Sequence, residues 1–217
     1  MLKVDVRRYF PSVRHDVLAA QVERRLGSGP LVQTLEHIVA FGTGDGGARG
    51  LPIGNLTSQV LANLYLDALD HRIARAAYEG ADDLVGYLRY VDDLTLVGRS
   101  KAGLHRWCAV IEAELAELGL QLHDRKRLVQ PVRKPLDLLG YRVTPWCRRL
   151  RTDNAPRARR RLARLADRYA RGEASLAEVR QRIASWLGHA RFADCEALVS
   201  QVLGSVTFAR DSEPRQA

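Results

Sequence analysis

The segment 84–97 constrains the fold more than any other stretch of the chain. Two runs of strand-forming residues, Leu84–Tyr90 and 94–97, lie on either side of the adjacent acids Asp92 and Asp93. Runs this close together predict a tight β-hairpin. A two-residue hairpin turn favours Asn-Gly or Asp-Gly, since both positions take positive φ, so two acids suit the turn poorly. Two neighbouring carboxylates also repel, which raises a pKa or requires a cation between them. The simple alternative is a solvated turn.

A third acid, Asp5, lies in a predicted strand near the start of the chain, where Leu2, Val4 and Val6 alternate with polar residues. A lone acid in a strand usually faces solvent. Acids at the ends of strands can instead converge on a metal, because Mg²⁺ prefers carboxylate oxygens and keeps positions for phosphate oxygens. Two such ions on either side of a phosphate can activate a hydroxyl and stabilise the leaving group.

The remaining pattern predicts helices alternating with short strands. We expect four helices: one from an N-cap at Ser12 to Gly27, one over 30–41, one from Ser58 onward and one over 104–118. Strands are expected over 120–122 and 136–143, and a glycine-rich loop is expected between the second and third helices. After residue 145 the pattern predicts three helices, with cap candidates at Asp153 and Asn154, a Ser175/Glu178 capping box, and a last helix over 194–203. This alternation predicts an α/β or α+β layer with helices on one face.

Charge is distributed unevenly along the chain. The formal net charge is +9, and residues 100–217 carry a net charge of +10 against −1 for residues 1–99. A basic face on the first helix after residue 145 is formed by Arg157, Arg160, Arg161, Arg164, Arg168 and Arg171. This pattern favours binding of a polyanion, and a solubilising surface is the alternative.

Composition excludes several protein classes. No window approaches the roughly 18 apolar residues of a membrane span, and the charged start does not resemble a signal peptide. Cys108, Cys147 and Cys195 are too far apart in sequence to suggest a disulfide framework or a zinc site. We therefore expect a soluble cytoplasmic protein with no membrane partner.

Several further motifs follow one another along the chain. They are Asp5 with Phe10, GLPIGNLTSQ at 50–59, YVDD at 90–93, GLQLHDRKRLV at 119–129, LDLLGYRV at 136–143 and SWLGHARFAD at 185–194. The chain resembles bacterial reverse transcriptases of the diversity-generating retroelement and group II intron maturase type. The resemblance implies an α+β fold: a palm over 1–145, with a small antiparallel sheet backed by helices, then a basic three-helix thumb over 146–210 and a disordered tail over 211–217.

The resemblance also implies roles in catalysis. Asp5 and Asp92 would be the main ligands of two Mg²⁺ ions, with Mn²⁺ as a possible substitute. Asp93 would be the third catalytic acid, and the backbone carbonyl of Val6 an extra metal ligand. Lys126 would act on the pyrophosphate leaving group; a solvated surface lysine is the alternative reading.

Further roles concern the nucleotide and the nucleic acid. Phe10 would exclude a 2′-hydroxyl and so favour deoxynucleotides, although it could be an ordinary core aromatic. Ile53, Gly54 and Asn55 would line the nucleotide and template pocket, although a proline-glycine turn before a helix would explain them too. The arginine face of 157–171 would follow the backbone of an RNA template paired with a DNA primer.

The resemblance leaves one expected segment unmatched. Reverse transcriptases carry a fingers subdomain before the strand of Asp5, and here only four residues precede Asp5. We therefore expect the strand of Asp5 to have an exposed edge, and the fingers to be supplied by an accessory partner if the chain is active. The alternative function is a truncated, non-catalytic nucleic-acid-binding remnant or one subunit of a split polymerase.

Overall fold

The computed structural model describes residues 1–42 and 47–210. Its contacts divide the chain into two compact units, Met1–Pro131 (unit 1) and Val132–Ala217 (unit 2). The division falls earlier than the boundary near 145 predicted from the sequence. Four residues of the predicted glycine-rich loop, 43–46, and the predicted tail, residues 211–217, lie outside the described residues.

Unit 1 contains a four-stranded antiparallel sheet. Its strands are β1 (Leu2–Asp5), β2 (Leu84–Tyr90), β3 (Asp93–Gly98) and β4 (Leu128–Val129), in the order β2-β3-β1-β4. The predicted exposed edge at β1 is wrong, because β4 pairs with its outer side, placing Val129 opposite Leu2 and Leu128 opposite Lys3. The predicted strand 120–122 is only an isolated bridge from Leu122 to Val6.

Six α-helices accompany this sheet in the part of unit 1 that is described. They are α1 (Tyr9–Ser12), α2 (His15–Leu26), α3 (Pro30–Gly42), α4 (Leu56–Tyr65), α5 (Asp67–Glu79) and α6 (Lys101–Glu117). Ser12 does not cap α2 as predicted; it ends α1, and Arg14 stands at the N-cap of α2 without a side-chain cap bond. The helix predicted from Ser58 begins at Leu56 and breaks at Leu66. The break lets Leu66 and Leu69 be buried together in the core.

The core of unit 1 lies between the sheet and its helices. In the register of β1 with β3, Leu2 is opposite Leu96 and Val4 is opposite Leu94, and all four side chains are fully buried. The helices α5 and α6 pack on the sheet through side chains such as Ile73, Leu69, Ile111 and Leu115. Fully burying a side chain of this size stabilises a fold by about 1.5–3 kcal/mol, so this layer holds the strand ends in fixed positions.

Unit 2 contains a three-stranded antiparallel sheet and three helices in its described part. The strands are β5 (Leu136–Leu138), β6 (Tyr141–Val143) and β7 (Arg148–Leu150); the helices are α7 (Asn154–Ala170), α8 (Leu176–Ala190) and α9 (Glu196–Leu203). The strand predicted over 136–143 is therefore a hairpin. It turns at Leu139 and Gly140, which both have positive φ as a type I′ turn requires.

The sheet of unit 2 is attached to its helices by polar contacts. The Tyr141 hydroxyl donates to the His189 carbonyl at 2.9 Å, and the Asp194 N–H donates to the Arg148 carbonyl at 2.7 Å. These contacts explain why strands 136–150 belong to the same compact unit as the helices. The predicted N-cap of α8 is confirmed, since Ser175 Oγ accepts from the Glu178 N–H at 3.1 Å.

The predicted fold class is confirmed: both units mix helices with small antiparallel sheets. Within the described ranges, none of the helices combines the length and apolar character needed to cross a bilayer.

Candidate functional site

The β2–β3 turn differs from the acidic turn predicted from the sequence. Tyr90 pairs with Asp93, so the turn residues are Val91 and Asp92, and Asp93 is already the first residue of β3. Of the turn residues, Val91 has positive φ, at 56°. One positive φ at the first position is the pattern of a type II′ turn, which favours glycine there. A β-branched residue in this region is a backbone outlier that costs about 1–3 kcal/mol.

The sheet brings Asp5 to the two acids of this hairpin. Asp5 lies opposite Asp93 in the register of β1 with β3. One residue later, the Val6 N–H donates to the Asp92 carbonyl at 2.9 Å. Residues directly opposite in an antiparallel pair have Cβ atoms about 4.5–5.5 Å apart, and like charges there repel. Three acids predicted to act together therefore meet at one end of the sheet.

Burial and charge act together on this cluster. Burial raises the pKa of the half-buried Asp92, and the charges of Asp5 and Asp93 raise it further, while Lys126 opposes the shift. Lys126 Nζ lies 2.8 Å from Asp5 Oδ2, and this hydrogen bond raises the pKa of Lys126. Lys3 Nζ lies 3.2 Å from Asp93 Oδ2. Two of the three acids thus face a lysine.

The donor chemistry of the cluster fits Mg²⁺, which prefers carboxylate oxygens. The side-chain arrangement differs from the predicted cage: within 1–42 and 47–210, no three Asp, Glu, His or Cys side chains are grouped so as to hold a metal ion. In addition, the lysine contacts of Asp5 and Asp93 occupy oxygens that a cation would use. A metal that binds Oδ2 of Asp5 would have to compete with Lys126 for that oxygen.

A pocket of about 350 Å³ opens beside Asp92. It is lined by Tyr9, Phe10, Pro11, Ile53, Gly54, Asn55, Gln59 and Asp92. Four of these are the residues predicted to bind the nucleotide, but Lys126 is not among them. Gln59 was not predicted as a site residue. Its spacing of four residues from Asn55, which places both on one face of the start of α4, is the signal that could have identified it.

Local contacts fix the walls of this pocket. The Leu51 N–H donates to the Phe10 carbonyl at 2.9 Å, which joins the 50–55 segment to α1. The ring of Phe10 packs edge-on against Tyr9, with ring centres 5.9 Å apart. The Tyr9 hydroxyl donates to the Ala62 carbonyl, and burial raises the pKa of that hydroxyl. Ile53 is 85% exposed, so its side chain is available to a ligand.

Unit 2 contains a basic groove, with a volume of about 730 Å³, between α7 and α8. Its arginines are Arg151, Arg157, Arg161, Arg164, Arg168 and Arg182. Four of the six predicted arginines therefore share the groove, whereas Arg160 and Arg171 do not line it. Trp186 and His189 also contribute to the groove wall.

In the described part of unit 2, some arginines of the groove form ion pairs with carboxylates and others do not. Arg157 pairs with Asp153 at 3.0 Å, and Arg168 pairs with Glu178 at 3.1 Å. Arg161 is exposed and has no carboxylate partner within the described residues, and the same holds for Arg164. Among the four predicted arginines of the groove, these two side chains are the ones best placed to meet a phosphate.

Residues 1–143 match the sequence profile of the family described as reverse transcriptase (RNA-dependent DNA polymerase). The chain belongs to the reverse transcriptase family. It is also similar to the retrovirus-related Pol polyprotein from the type-1 retrotransposable element R2 of Nasonia vitripennis, with 30% identity over 138 residues. That match covers 57% of this chain and 13% of the polyprotein.

Solved telomerase structures share the fold of this chain. Telomerase from Candida albicans, in complex with the TWJ fragment of telomeric RNA, aligns over 96% of this chain with a TM-score of 0.56 and 13% identity. Apo telomerase from Candida tropicalis aligns over 94% with a TM-score of 0.57 and 11% identity. This chain covers 42% of each of those chains. At such identities the likeness concerns the fold alone.

Two features of the candidate site were missed by sequence reasoning. One is the pairing of Lys3 with Asp93, since a lysine in a strand gives no sign of which acid it will face. The other is the polar network under the acidic turn, centred on Arg89. Arg89 directly precedes the YVDD motif, but an arginine in a strand is ordinarily a solvent-facing residue.

Proposed function

We propose that this protein is an RNA-directed DNA polymerase of a bacterial retroelement, acting by two-metal nucleotidyl transfer from a deoxynucleoside triphosphate to a primer 3′-hydroxyl. One observation carries the proposal. Asp92 belongs both to the acid cluster at the end of the sheet and to the wall of the pocket that contains Phe10, Ile53 and Gly54. A nucleotide in this pocket would therefore place its phosphates beside the acids.

The residues of the chain have separable roles in this mechanism. Asp5, Asp92 and Asp93 would hold the cations through carboxylate oxygens, with the Val6 carbonyl as the proposed extra ligand. Bound Mg²⁺ would activate the hydroxyl and neutralise charge on the reacting phosphate. The ammonium of Lys126 already lies beside the acid cluster, in contact with Asp5. Once released from Asp5, it would donate a hydrogen bond or proton to the leaving pyrophosphate.

Phe10 and the glycine turn would select and seat the nucleotide. The ring of Phe10 is held against Tyr9 and lines the pocket, so it would fill the space that a 2′-hydroxyl needs. Gly54 has a φ of 97°, a conformation that favours glycine, and its lack of a side chain would let the nucleotide approach the backbone.

The basic groove would hold the template–primer hybrid. Arginines bind phosphates without reading sequence, and each phosphate contact steepens the salt dependence of affinity. Arg161→Ala with Arg164→Ala should therefore reduce the slope of log affinity against log salt by roughly 1.4–1.8, as expected for two lost phosphate contacts. Arg160→Ala, outside the groove, is the matched control.

Primer extension on an RNA template is the direct test. The 217-residue chain should add deoxynucleotides in the presence of Mg²⁺, alone or with an added protein that supplies fingers. Asp92→Asn should abolish extension, since it removes a charged metal ligand. Asp83→Asn, a charge-matched change at an exposed residue with positive φ that asparagine tolerates, should have no effect. If Asp92→Asn extends primers as well as the unmodified protein, the assignment of Asp92 is refuted.

A second candidate function is a non-catalytic nucleic-acid-binding subunit or remnant. The pairing of Lys126 with Asp5 and of Lys3 with Asp93 favours it, because a site that never binds metal could keep these lysines permanently. Tight, salt-dependent hybrid binding with no extension under any of the conditions above would select this function. The cytoplasmic location remains a prediction in both cases.

A further inference from the structure

We propose that Arg89 is a positioning residue for catalysis: its guanidinium holds the Val91 carbonyl and thereby fixes the strained turn that carries Asp92. This inference rests on the proposed function. The first observation is a direct contact, in which Arg89 Nη1 donates to the Val91 carbonyl oxygen at 2.9 Å. Val91 is the turn residue with the unfavourable φ of 56°, so the contact acts on the peptide unit that needs support.

All five N–H groups of Arg89 have acceptors. Nε donates to Asp70 Oδ1 at 2.7 Å, and Nη2 donates to Asp70 Oδ2. Nη1 also donates to Asn63 Oδ1 at 3.2 Å, and Nη2 donates to the Asn63 carbonyl at 3.3 Å. With the Val91 carbonyl, these five bonds use the full donor capacity of a guanidinium.

The network is anchored away from the turn. Asp70 belongs to α5 and Asn63 to α4, and the Tyr87 hydroxyl donates to Asp70 Oδ1 at 2.7 Å. The Arg89 side chain is only 7% exposed, so it cannot exchange these partners freely for water. Residues of two helices, Asp70 and Asn63, thus hold the guanidinium in place, and the guanidinium in turn binds the Val91 carbonyl of the turn.

Lysine cannot reproduce this geometry. The guanidinium is a rigid planar fork with five donors, whereas an ammonium is a point charge with three. In Arg89→Lys the charge opposite Asp70 is kept, but a single tetrahedral nitrogen cannot bind Asp70 in the bidentate way of the planar guanidinium and also reach the Val91 carbonyl. The substitution therefore separates charge neutralisation, which lysine retains, from support of the turn, which it loses.

Amide hydrogen exchange tests the inference without requiring activity. The Val6 N–H donates to the Asp92 carbonyl at 2.9 Å and so reports on the turn, while the Arg99 N–H donates to the Asp83 carbonyl at 2.9 Å and reports on the opposite end of the hairpin. In metal-free protein, Arg89→Lys should speed exchange at Val6 relative to Arg99 by roughly tenfold or more, the effect of losing a hydrogen bond to a charged group. Global unfolding would speed both amides equally.

Kinetics provides the second measurement. For protein that extends primers, Arg89→Lys should lower kcat by at least about tenfold and leave the KM for the template–primer unchanged, since Arg89 does not line the basic groove proposed to hold the hybrid. Ile111→Ala, a cavity in α6 away from Arg89, is the control for general destabilisation. It should lower the melting temperature without changing the ratio of the two exchange rates.

The outcomes separate this inference from the proposed function. Equal exchange ratios in the Arg89→Lys and unmodified proteins would overturn the positioning role, as would an unchanged kcat. If the unmodified protein shows no extension but Arg89→Lys still selectively frees the Val6 amide, the polymerase proposal fails while the support of the turn by Arg89 stands.

Discussion

The ion pair between Arg89 and Asp70 should couple strongly in a double-mutant cycle on the stability of unit 1. Removing one partner of a buried pair leaves an uncompensated charge and typically costs about 3–5 kcal/mol. Arg89→Met leaves Asp70, whose side chain is 27% exposed, so water compensates part of the loss and we expect about 3 kcal/mol. Asp70→Asn leaves the guanidinium, which is 7% exposed, and we expect about 4 kcal/mol.

The double variant should be much less destabilised than the sum of the singles. With both charges absent, no ion is left buried, and the remaining cost is that of the lost hydrogen bonds, about 3–4 kcal/mol in total. The coupling energy would then be roughly 3–4 kcal/mol. The exposed pair of Arg75 and Glu79, on the same helix as Asp70, is the control, and its coupling should be far smaller because solvent screens the two charges.

Urea unfolding at neutral pH can measure this cycle in the intact chain. Trp107 is 6% exposed and lies in unit 1, whereas Trp146 and Trp186 lie in unit 2. In a Trp146→Phe/Trp186→Phe background, tryptophan fluorescence would therefore report on unit 1. Coupling within about 0.5 kcal/mol of zero, the range found for independent sites, would refute the reasoning. Losses below about 1 kcal/mol for both singles would show that the pair behaves as a surface pair.

The remaining predictions concern the acid cluster, the pocket and unit 2. Burial and neighbouring carboxylates raise the pKa of Asp92 in the folded chain, so its stabilising contribution is present at low pH and lost as the pH rises through that pKa. In EDTA, the melting temperature of Asp92→Asn minus that of the unmodified protein should therefore increase as the pH rises from about 4 to 7. A difference that does not depend on pH would contradict this. Phe10→Ala should increase ribonucleotide incorporation when both nucleotide types compete, because it removes the ring that lines the pocket, and an unchanged ratio would count against the gate. Gly140→Ala should destabilise unit 2 by about 1–2 kcal/mol in urea unfolding, since φ is 87° and the new Cβ would lie 3.2 Å from His189 Cε1; unchanged stability would show that the turn relaxes readily.

Elements defined by strong local patterns were predictable from the sequence. The hairpin strands β2 and β3 follow from their apolar runs, and the ends of α2 and α6 follow from Gly27 and Gly119, whose positive φ stops a helix. These signals are local, because they depend on periodicity and on backbone conformations that favour glycine. No distant partner is needed to interpret them.

Elements decided by tertiary packing were not predictable. The break between α4 and α5 at Leu66 serves burial of leucines against the sheet, and nothing in the local sequence marks it. The strand β4 is two residues long and exists because Leu128 and Val129 meet β1. In unit 2, residues 136–143 have the pattern of one strand, and only the positive φ of both Leu139 and Gly140 reveals a turn.

The site shows the same division between pattern and packing. Asp5, Asp92 and Asp93 were found because carboxylates among apolar residues are conspicuous, and the register of β1 with β3 places them together. Lys3 and Arg89 were missed because charged residues in strands are common and usually face water. Their roles depend on which residue lies opposite or beneath them, which the register and the helices decide.

The turn residue Val91 shows how a local rule can fail for a functional reason. Sequence reasoning found a conflict at the acids, but the structure places it at Val91, which takes the positive φ while Asp92 and Asp93 do not. Glycine would relieve the strain, yet it would also free a backbone that must hold Asp92 beside Asp5. A strained residue persists only where its surroundings over-determine it, and here Arg89 provides that constraint through the Val91 carbonyl. The strained turn and the buried ion pair therefore act together: they hold the Asp92 carboxylate in place against the repulsion of the neighbouring acids.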